Sequence, residues 1–331
     1  YLEGGDQFRG WFQSSLLIGV ATKGKAPYKT CLCHGWTVDG EGKAMHKSLG
    51  NGVDPADLIA KYGADLVRLW ASSADYRVDM RCSDAIFKQL SEKYLKIRNT
   101  ARYILGNLAG FDPCKDMVPV EQMPELDRWA LSRLNALVER CINSYEKYEF
   151  FGVTAAVHSF CVVDMSNFYL DVIKDRLYCD GAESLSRRSA QTTIYMILDH
   201  LMRLLAPLLA STSNEVWQDM PHSDKEDARH VMLNDMPRPD AALKLSPEAE
   251  LRWSNLLRIR DDVNKALELA RAEKIVGKPL DAKVTIHVGE DAKAKAAALQ
   301  AGQIMLLENL RFDKREEKND PEFAKELASM A

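Results

Sequence analysis

A short segment bounded by glycine carries several side chains that could bind phosphate. Residues 42–51 read GKAMHKSLGN, and the candidate phosphate ligands among them are Lys43, His46, Lys47 and Ser48. A lysine ammonium is a compact charge that suits phosphate, and a glycine-flanked loop can close over a nucleotide. The segment lacks the G-x-x-x-x-G-K-S/T pattern of a P-loop, so its spacing alone also fits a solvated surface loop.

A second group of polar residues stands in the first loop of the chain, EGGDQFRGW. Glu3, Asp6 and Gln7 follow a short apolar stretch and precede a helical pattern. If that stretch is a strand of a parallel sheet, these side chains lie at its carboxyl end, where such sheets bind ligands. Two carboxylates and a carboxamide could hold an ammonium group or ribose hydroxyls. The alternative is that Gly4 and Gly5 only turn the chain and the acids are solvated or cap the next helix.

A third candidate is a helical segment with an excess of positive charge. It carries Lys88, Lys93, Lys96, Arg98 and Arg102 against Asp84 and Glu92. Such an excess could follow an RNA backbone, although solvated helix faces often have the same composition.

The cysteines give less information. Seven cysteines scattered over a long chain favour reduced thiols in a cytoplasmic protein. Cys31 and Cys33 point the same way on a strand, and with His34 they could form a metal pair. The sequence has no second pair at zinc-site spacing, so we expect buried strand cysteines and no metal site.

The composition limits the classes of protein. A chain of 331 residues with 46% hydrophobic and 28% charged residues suits two or three globular domains. No apolar run is long enough for a membrane span. The net charge of −4 argues against a generally basic surface and leaves room for a local basic face.

The elements that must position these residues change type along the chain. Residues 1–83 alternate strand, helix and strand, with YKTCLCHGWTV as the best strand, which predicts a parallel α/β sheet. Within them, Asp54, Pro55 and Gly63 mark the start and end of a helix. Residues 84–275 predict a helical bundle, with later helices near 126–147, 153–178, 187–209 and 248–274. Residues 276–331 return to an α/β pattern.

Taken together, these segments resemble the class I aminoacyl-tRNA synthetases, and within them the isoleucine-specific family. YLEGGDQFRGWFQSSLL, GKAMHKSLGN and DPADLIAKYGADLVRLW resemble the second half of the Rossmann-type catalytic domain. LDRWALSRLN, SNFYLDVIKDRLYCDG and ARAEKIVGKPLDA resemble the α-helical anticodon-binding domain. The resemblance covers residues 1 to about 288. The valine and leucine families are the alternatives.

The resemblance implies roles for the candidate residues. Residues 44–48, AMHKS, take the place of the KMSKS loop, so Lys47 would contact ATP. Ala44 replaces the first lysine of the motif and His46 its usual serine, and Lys43 would compensate. Glu3 and Gly4, with Asp6 and Gln7, would line the aminoacyl-adenylate pocket. The implied substrates are isoleucine, ATP with Mg²⁺, and isoleucine tRNA.

The sequence also departs from the family by what it lacks. It contains neither the HIGH motif nor the inserted editing domain nor the cysteine-rich zinc module, so we expect no zinc and no isoleucine activation by this chain alone. We therefore interpret it as part of a longer enzyme. Two further hypotheses remain: a tRNA-binding module without catalysis, and an inert interaction protein.

The last residues resemble a different family. From about residue 289, GQIMLLENLRFDKREEKND is similar to phosphoglycerate kinase, in which Arg311 would bind the phosphoglycerate substrate. Some forty residues cannot rebuild that active site, so no kinase activity is expected. The simplest interpretation is a chimeric reading frame.

Overall fold

The computed structural model describes residues 1–46, 50–278 and 282–284 of the chain. It divides into two compact units, Tyr1–Lys244 and Leu245–Ala331. The boundaries near residues 83 and 275 that the sequence suggested stay predictions. The kinase-like segment with Arg311 lies outside the described residues.

The first unit begins with short strands and helices and continues as a helical bundle. Its strands are β1 (Leu2–Gly4), β2 (Leu32–His34), β3 (Thr37–Val38) and β4 (Met80–Arg81). Its first helices are α1 (Trp11–Lys23), α2 (Pro55–Tyr62), α3 (Ala64–Ser73) and α4 (Asp84–Asn107). The bundle continues with α5 (Glu125–Glu146), α6 (Phe150–Ser159), a π-helical segment (Phe160–Tyr169), α7 (Leu170–Val172), α8 (Lys174–Tyr178), α9 (Leu185–Leu205) and α10 (Ala210–Asp219). In the second unit, α11 (Pro247–Ala272) begins after Ser246, whose side chain caps it.

The strands pair in parallel, as the strand–helix–strand pattern predicted. β1 pairs with β2, and β3 pairs with β4. The single strand expected over residues 28–38 is wrong in one respect, because it breaks at Gly35. A side chain at Gly35 would meet the Val78 carbonyl at 2.4 Å, so the backbones touch there. The chain thereby changes partner from β1 to β4.

The cysteine expectation also needs correction. Cys31 and Cys33 are exposed, whereas buried thiols were expected. Within the described part of the chain, β2 pairs only with β1, and the face that carries these thiols is uncovered. No group of three His, Cys, Asp or Glu side chains among the described residues could hold a metal ion. No described helix is long and apolar enough to cross a membrane.

The bundle core is organised around a buried ion pair. Asp127 is fully buried and accepts hydrogen bonds from both terminal nitrogens of Arg176 at 2.8 and 2.6 Å. The Tyr169 hydroxyl donates to the same carboxylate at 2.7 Å, and the Ser189 hydroxyl completes the set. A buried carboxylate needs such partners, and these come from the π-helical segment, α8 and α9.

The sequence predicted some helix boundaries correctly and missed others. The helix predicted from Asp54, Pro55 and Gly63 is confirmed: the Asp54 carboxylate accepts from the Ala56 amide at 2.8 Å. The predicted 153–178 helix instead contains the π-helical segment and a break at Ile173. Helix α10 was not predicted, because the residue before it, Leu209, has no side chain that can cap a helix.

A distant carboxylate supplies the missing cap of α10. Asp65 on α3 accepts from the Ser211 and Thr212 amides at 3.2 and 2.6 Å and from the Thr212 hydroxyl at 2.6 Å. One turn further along α3, Arg68 donates to the Pro207 and Leu208 carbonyls at 2.6 and 3.1 Å. Helix α3 is therefore fixed to α10 and to the residues just before it by two charged side chains.

Replacing Asp65 should destabilise the first unit. Asp65→Ala leaves two amides at the buried start of α10 without acceptors, so we expect a loss of about 2–3 kcal/mol in chemical denaturation. The matched control is Asp219→Ala, which removes an exposed carboxylate from the other end of α10 and should change stability by less than about 0.5 kcal/mol. Equal stabilities of the two variants would contradict the cross-helix cap.

Candidate functional site

The first cluster forms where β1 and β2 end side by side. Glu3 is opposite Cys33 and Gly4 is opposite His34 in the parallel register. The His34 Nε2 atom lies 3.6 Å from a Glu3 carboxylate oxygen. Nδ1 of His34 lies 2.7 Å from the Gly35 carbonyl oxygen and must donate to it, because a carbonyl only accepts. Nε2 therefore faces Glu3, and His34 is a partner of the cluster that the sequence pattern did not reveal.

Gly4 keeps space for the next acid. It is buried, and a methyl group added there would meet an Asp6 carboxylate oxygen at 2.7 Å. The same carboxylate accepts from the Gln7 side-chain amide at 3.0 Å. At Gly5, by contrast, an added methyl group would meet nothing within 4 Å. Glu3 thus lies on β1, and Asp6 and Gln7 follow directly after it, with the Asp6 side chain exposed.

The second cluster is a hairpin turn that leads into the KMSKS-like segment. The Asp39 amide donates to the Lys43 carbonyl at 2.9 Å, and Val38 pairs with Ala44 in antiparallel fashion. Gly42 has φ +88°, a left-handed conformation that glycine adopts at little cost. The turn therefore extends β3 by one short returning strand.

Two side chains that the sequence analysis overlooked close this segment. The Asp39 carboxylate accepts from the Glu41 and Lys43 amides at 3.0 and 2.9 Å and from the Asn51 side-chain amide at 2.9 Å. Asn51 in turn accepts from the His46 amide at 2.9 Å and donates to the Ala44 carbonyl at 3.1 Å. We call this pair the Asp39–Asn51 clasp. It joins the two ends of the segment at its base.

The clasp lowers the pKa of Asp39. The Asn51 amide is the largest cause, followed by the Lys43 backbone amide, since both favour the ionised carboxylate. Among the predicted phosphate ligands, the Lys43 ammonium lies 2.8 Å from Glu41, and only the backbone amide of His46 is engaged, at Asn51. Lys47 and Ser48 lie outside the described residues.

The third cluster lies on α4. Lys88 forms an ion pair with Asp84 at 3.2 Å. In the described part of the chain, no hydrogen bond or ion pair engages the exposed side chains of Lys93, Lys96, Arg98 and Arg102. The pKa of His158 on α6 is lowered, chiefly by burial and then by the charges of Lys93 and Lys96. This flank of α4 therefore carries exposed positive charges that form no ion pair with a described acid, although Glu92 lies on the same helix.

Comparison with known proteins identifies both parts of the chain. A family model described as tRNA synthetases class I (I, L, M and V) matches residues 1–83, and one described as the anticodon-binding domain of tRNA ligase matches residues 127–286. The isoleucine–tRNA ligase of Caldanaerobacter subterraneus subsp. tengcongensis is 56% identical over 287 residues, which is 87% of this chain. The chain belongs to the class I aminoacyl-tRNA synthetases. The isoleucine–tRNA ligase of Syntrophotalea carbinolica is similar as well, at 54% identity over 86% of the chain.

This synthetase chain spans about 31% of the length of the first of these relatives and 30% of the second. That share fits the expectation of a sequence that corresponds to part of a longer enzyme. Among solved structures, the LeuRS of Agrobacterium radiobacter K84, in a ternary complex with tRNA and LeuAMS, superposes with a TM-score of 0.59 over 74% of this chain and 29% of its own. At 18% sequence identity this likeness shows the fold.

The clasp leads to a prediction about amide exchange. In Asp39→Ala, the amides of Glu41 and Lys43 lose their acceptor, and we expect their hydrogen exchange, followed by NMR at neutral pH, to rise about tenfold. The His46 amide should follow, because Asn51 loses its anchor. Glu41→Gln is the control: it removes a carboxylate from the same turn that binds no backbone amide, so these three exchange rates should stay unchanged.

Acid should open the clasp in the wild-type chain. The pKa of Asp39 is lower in the folded state than its ordinary value of 3.8. Its contribution is therefore complete above that value and is lost as the pH falls through the folded pKa. Protection of the Glu41 and Lys43 amides that vanished between pH 5 and 7 would contradict the assignment.

Proposed function

We propose that this synthetase chain corresponds to the part of an isoleucine–tRNA ligase that carries the KMSKS-like loop and the anticodon-binding bundle. The 56% identity to such a ligase over 87% of the chain supports the proposal most strongly. In the complete enzyme, the isoleucine carboxylate attacks the α-phosphorus of ATP. Isoleucyl-adenylate forms and pyrophosphate leaves. The acyl group then passes to a hydroxyl of the tRNA, and AMP leaves.

The cluster at the end of β1 suits the aminoacyl-adenylate. The Glu3 carboxylate would attract the substrate ammonium, and the His34 ring lies beside it at the end of β2. Asp6 and Gln7 would bind ribose hydroxyls or the same ammonium, and the bare surface of Gly4 leaves the Asp6 carboxylate its place. These groups act by positioning, since a carboxylate that already points at its partner need not reorganise during the reaction.

The KMSKS-like segment would hold the phosphates. Lys47 would neutralise charge on the triphosphate as the α-phosphorus is attacked, and Lys43, His46 and Ser48 would add hydrogen bonds. Mg²⁺ would arrive with ATP as its substrate complex. The clasp supports this role because it holds the described residues on either side of Lys47 and Ser48, through the Lys43 and His46 amides and the Asn51 side chain.

The remaining parts of the proposal concern architecture and location. Residues 1–83 would complete a Rossmann-type domain together with the rest of the enzyme, 84–275 would form the anticodon-binding domain, and 276–331 a separate tail. The seven free cysteines agree with a reducing, cytoplasmic location.

A pair of glycine substitutions tests the adenylate pocket. In Gly4→Ala the new methyl group pushes the Asp6 carboxylate aside, and we expect about tenfold weaker binding of a non-hydrolysable isoleucyl-adenylate analogue, measured by calorimetry. Folding should be unaffected, because the displaced atom ends a flexible side chain. Gly5→Ala is the matched control, since its methyl group meets nothing. Equal affinities for all three proteins would remove Asp6 from the pocket.

We also propose that the α4 flank binds the phosphate backbone of isoleucine tRNA. Lys93 and Lys96 are exposed, and after burial their charges are the next cause of the lowered pKa of His158. A polyanion relieves that repulsion, and the lysines need not first leave an acidic partner. Lys88 differs from them, because its ammonium is paired with Asp84, which also binds Lys61.

Salt titrations of tRNA binding test this surface. Lys93→Ala or Lys96→Ala should weaken binding and lower the slope of log K against log salt by about 0.7 to 0.9 each. Lys88→Ala, on the same helix, should change the slope far less. If the three variants are equivalent, the contact surface lies elsewhere, whereas a wild-type chain that binds no tRNA at low salt contradicts the tRNA-binding proposal itself.

A further inference from the structure

An arginine that no motif singled out lies against the KMSKS-like segment. Arg81 belongs to β4 and pairs with Val38 of β3, and Val38 pairs on its other side with Ala44. A methyl group built on Gly42 would meet the Nη2, Nε and Cζ atoms of Arg81 at 3.6, 3.8 and 3.9 Å. The guanidinium therefore extends across β3 and covers the open side of the turn.

The backbone around Arg81 is fixed while its charge is free. Its carbonyl accepts from the Trp70 indole at 2.9 Å, and the next amide, of Cys82, donates to the Val38 carbonyl at 2.8 Å. The side chain is exposed, and no described residue forms a hydrogen bond or an ion pair with the guanidinium. Arg77, four residues earlier, is instead held by Asp75 at 2.7 and 2.9 Å.

Arg81 places a positive charge beside the position where the segment lacks a lysine. Ala44 occupies the position of the motif's first lysine and has no charge to offer. Lys43 was expected to compensate, but its ammonium lies 2.8 Å from the Glu41 carboxylate, which offsets part of its field. Across β3 from Ala44, Arg81 reaches over the turn with a planar donor group that matches two phosphate oxygens at once.

We infer that Arg81 is a polyphosphate-binding residue of this chain that takes over the charge missing at Ala44. The inference rests on the nucleotide role proposed for the KMSKS-like segment. Arg81 donates two hydrogen bonds to oxygens of the nucleotide polyphosphate.

Binding of inorganic tripolyphosphate to the full chain, measured by calorimetry at low salt, tests the inference. Arg81→Ala should lower the affinity about five- to tenfold, and Arg81→Lys should restore part of it as a single point charge. Arg77→Ala is the matched control, because it removes a neighbouring arginine that an acid already holds, and it should bind as the wild type does. Glu41→Gln frees Lys43 and should raise the affinity about two- to threefold.

The outcomes separate this inference from the proposal beneath it. If Lys47→Ala lowers tripolyphosphate affinity and Arg81→Ala does not, the loop binds phosphate without Arg81 and the inference fails alone. A wild-type chain that does not bind tripolyphosphate overturns both. Loss of tRNA affinity in Arg81→Ala, with tripolyphosphate affinity unchanged, would assign the guanidinium to the RNA backbone and contradict the inference.

Discussion

The Asp65 carboxylate at the start of α10 is the interaction on which the arrangement of the first unit depends. The first amides of a helix have no partner inside the helix, and here the preceding residue cannot supply one. Asp65 satisfies two of them from another helix, and the Thr212 hydroxyl donates to it as well. The Tyr94 hydroxyl must then donate to Thr212 at 2.9 Å, because the only proton of Thr212 is used. This chain of bonds joins α3, α4 and α10.

That connection sets how the candidate clusters relate to the bundle. Trp70 on the same helix as Asp65 binds the Arg81 carbonyl, and β4 carries Arg81 against β3 and the turn that follows it. Side chains along α3 therefore hold β4 through Trp70 and the start of α10 through Asp65. Inside the bundle, Asp127 and Arg176 fix α5 against α8 in the same manner, with these two charges paired. In both places a buried carboxylate selects one arrangement of helices, because leaving it unpaired would be costly.

The sequence predicted those features whose causes are local. Asp54, Pro55 and Gly63 start and end α2 by contacts within a few residues, so the helix was predicted correctly. The break at Gly35 was not, because it arises from the approach of Val78, forty-three residues away in the chain. Helix α10 was not predicted because its cap, Asp65, is also distant in the chain. The roles of Glu3, Asp6 and Gln7 were predicted from their place at the end of a strand and stay predictions. Asn51 meets Asp39, and His34 meets Glu3, only in the folded chain, so the sequence pattern did not reveal these two pairs.

The two acids beside the KMSKS-like segment, Asp39 and Glu41, have different partners. The Asp39 carboxylate accepts hydrogen bonds from two backbone amides and from Asn51. These bonds fix the turn, and they offset part of the negative charge that would repel a phosphate. Glu41 binds the Lys43 ammonium and weakens its field. A polyanion is attracted most strongly by cations that have no acidic partner. The positions of the carboxylates therefore matter as much as the number of lysines. The motif alone therefore underestimates the positive charge near this segment. Ala44 lacks the charge of the motif's first lysine, but Arg81 on the neighbouring strand β4 places a positive charge beside the turn.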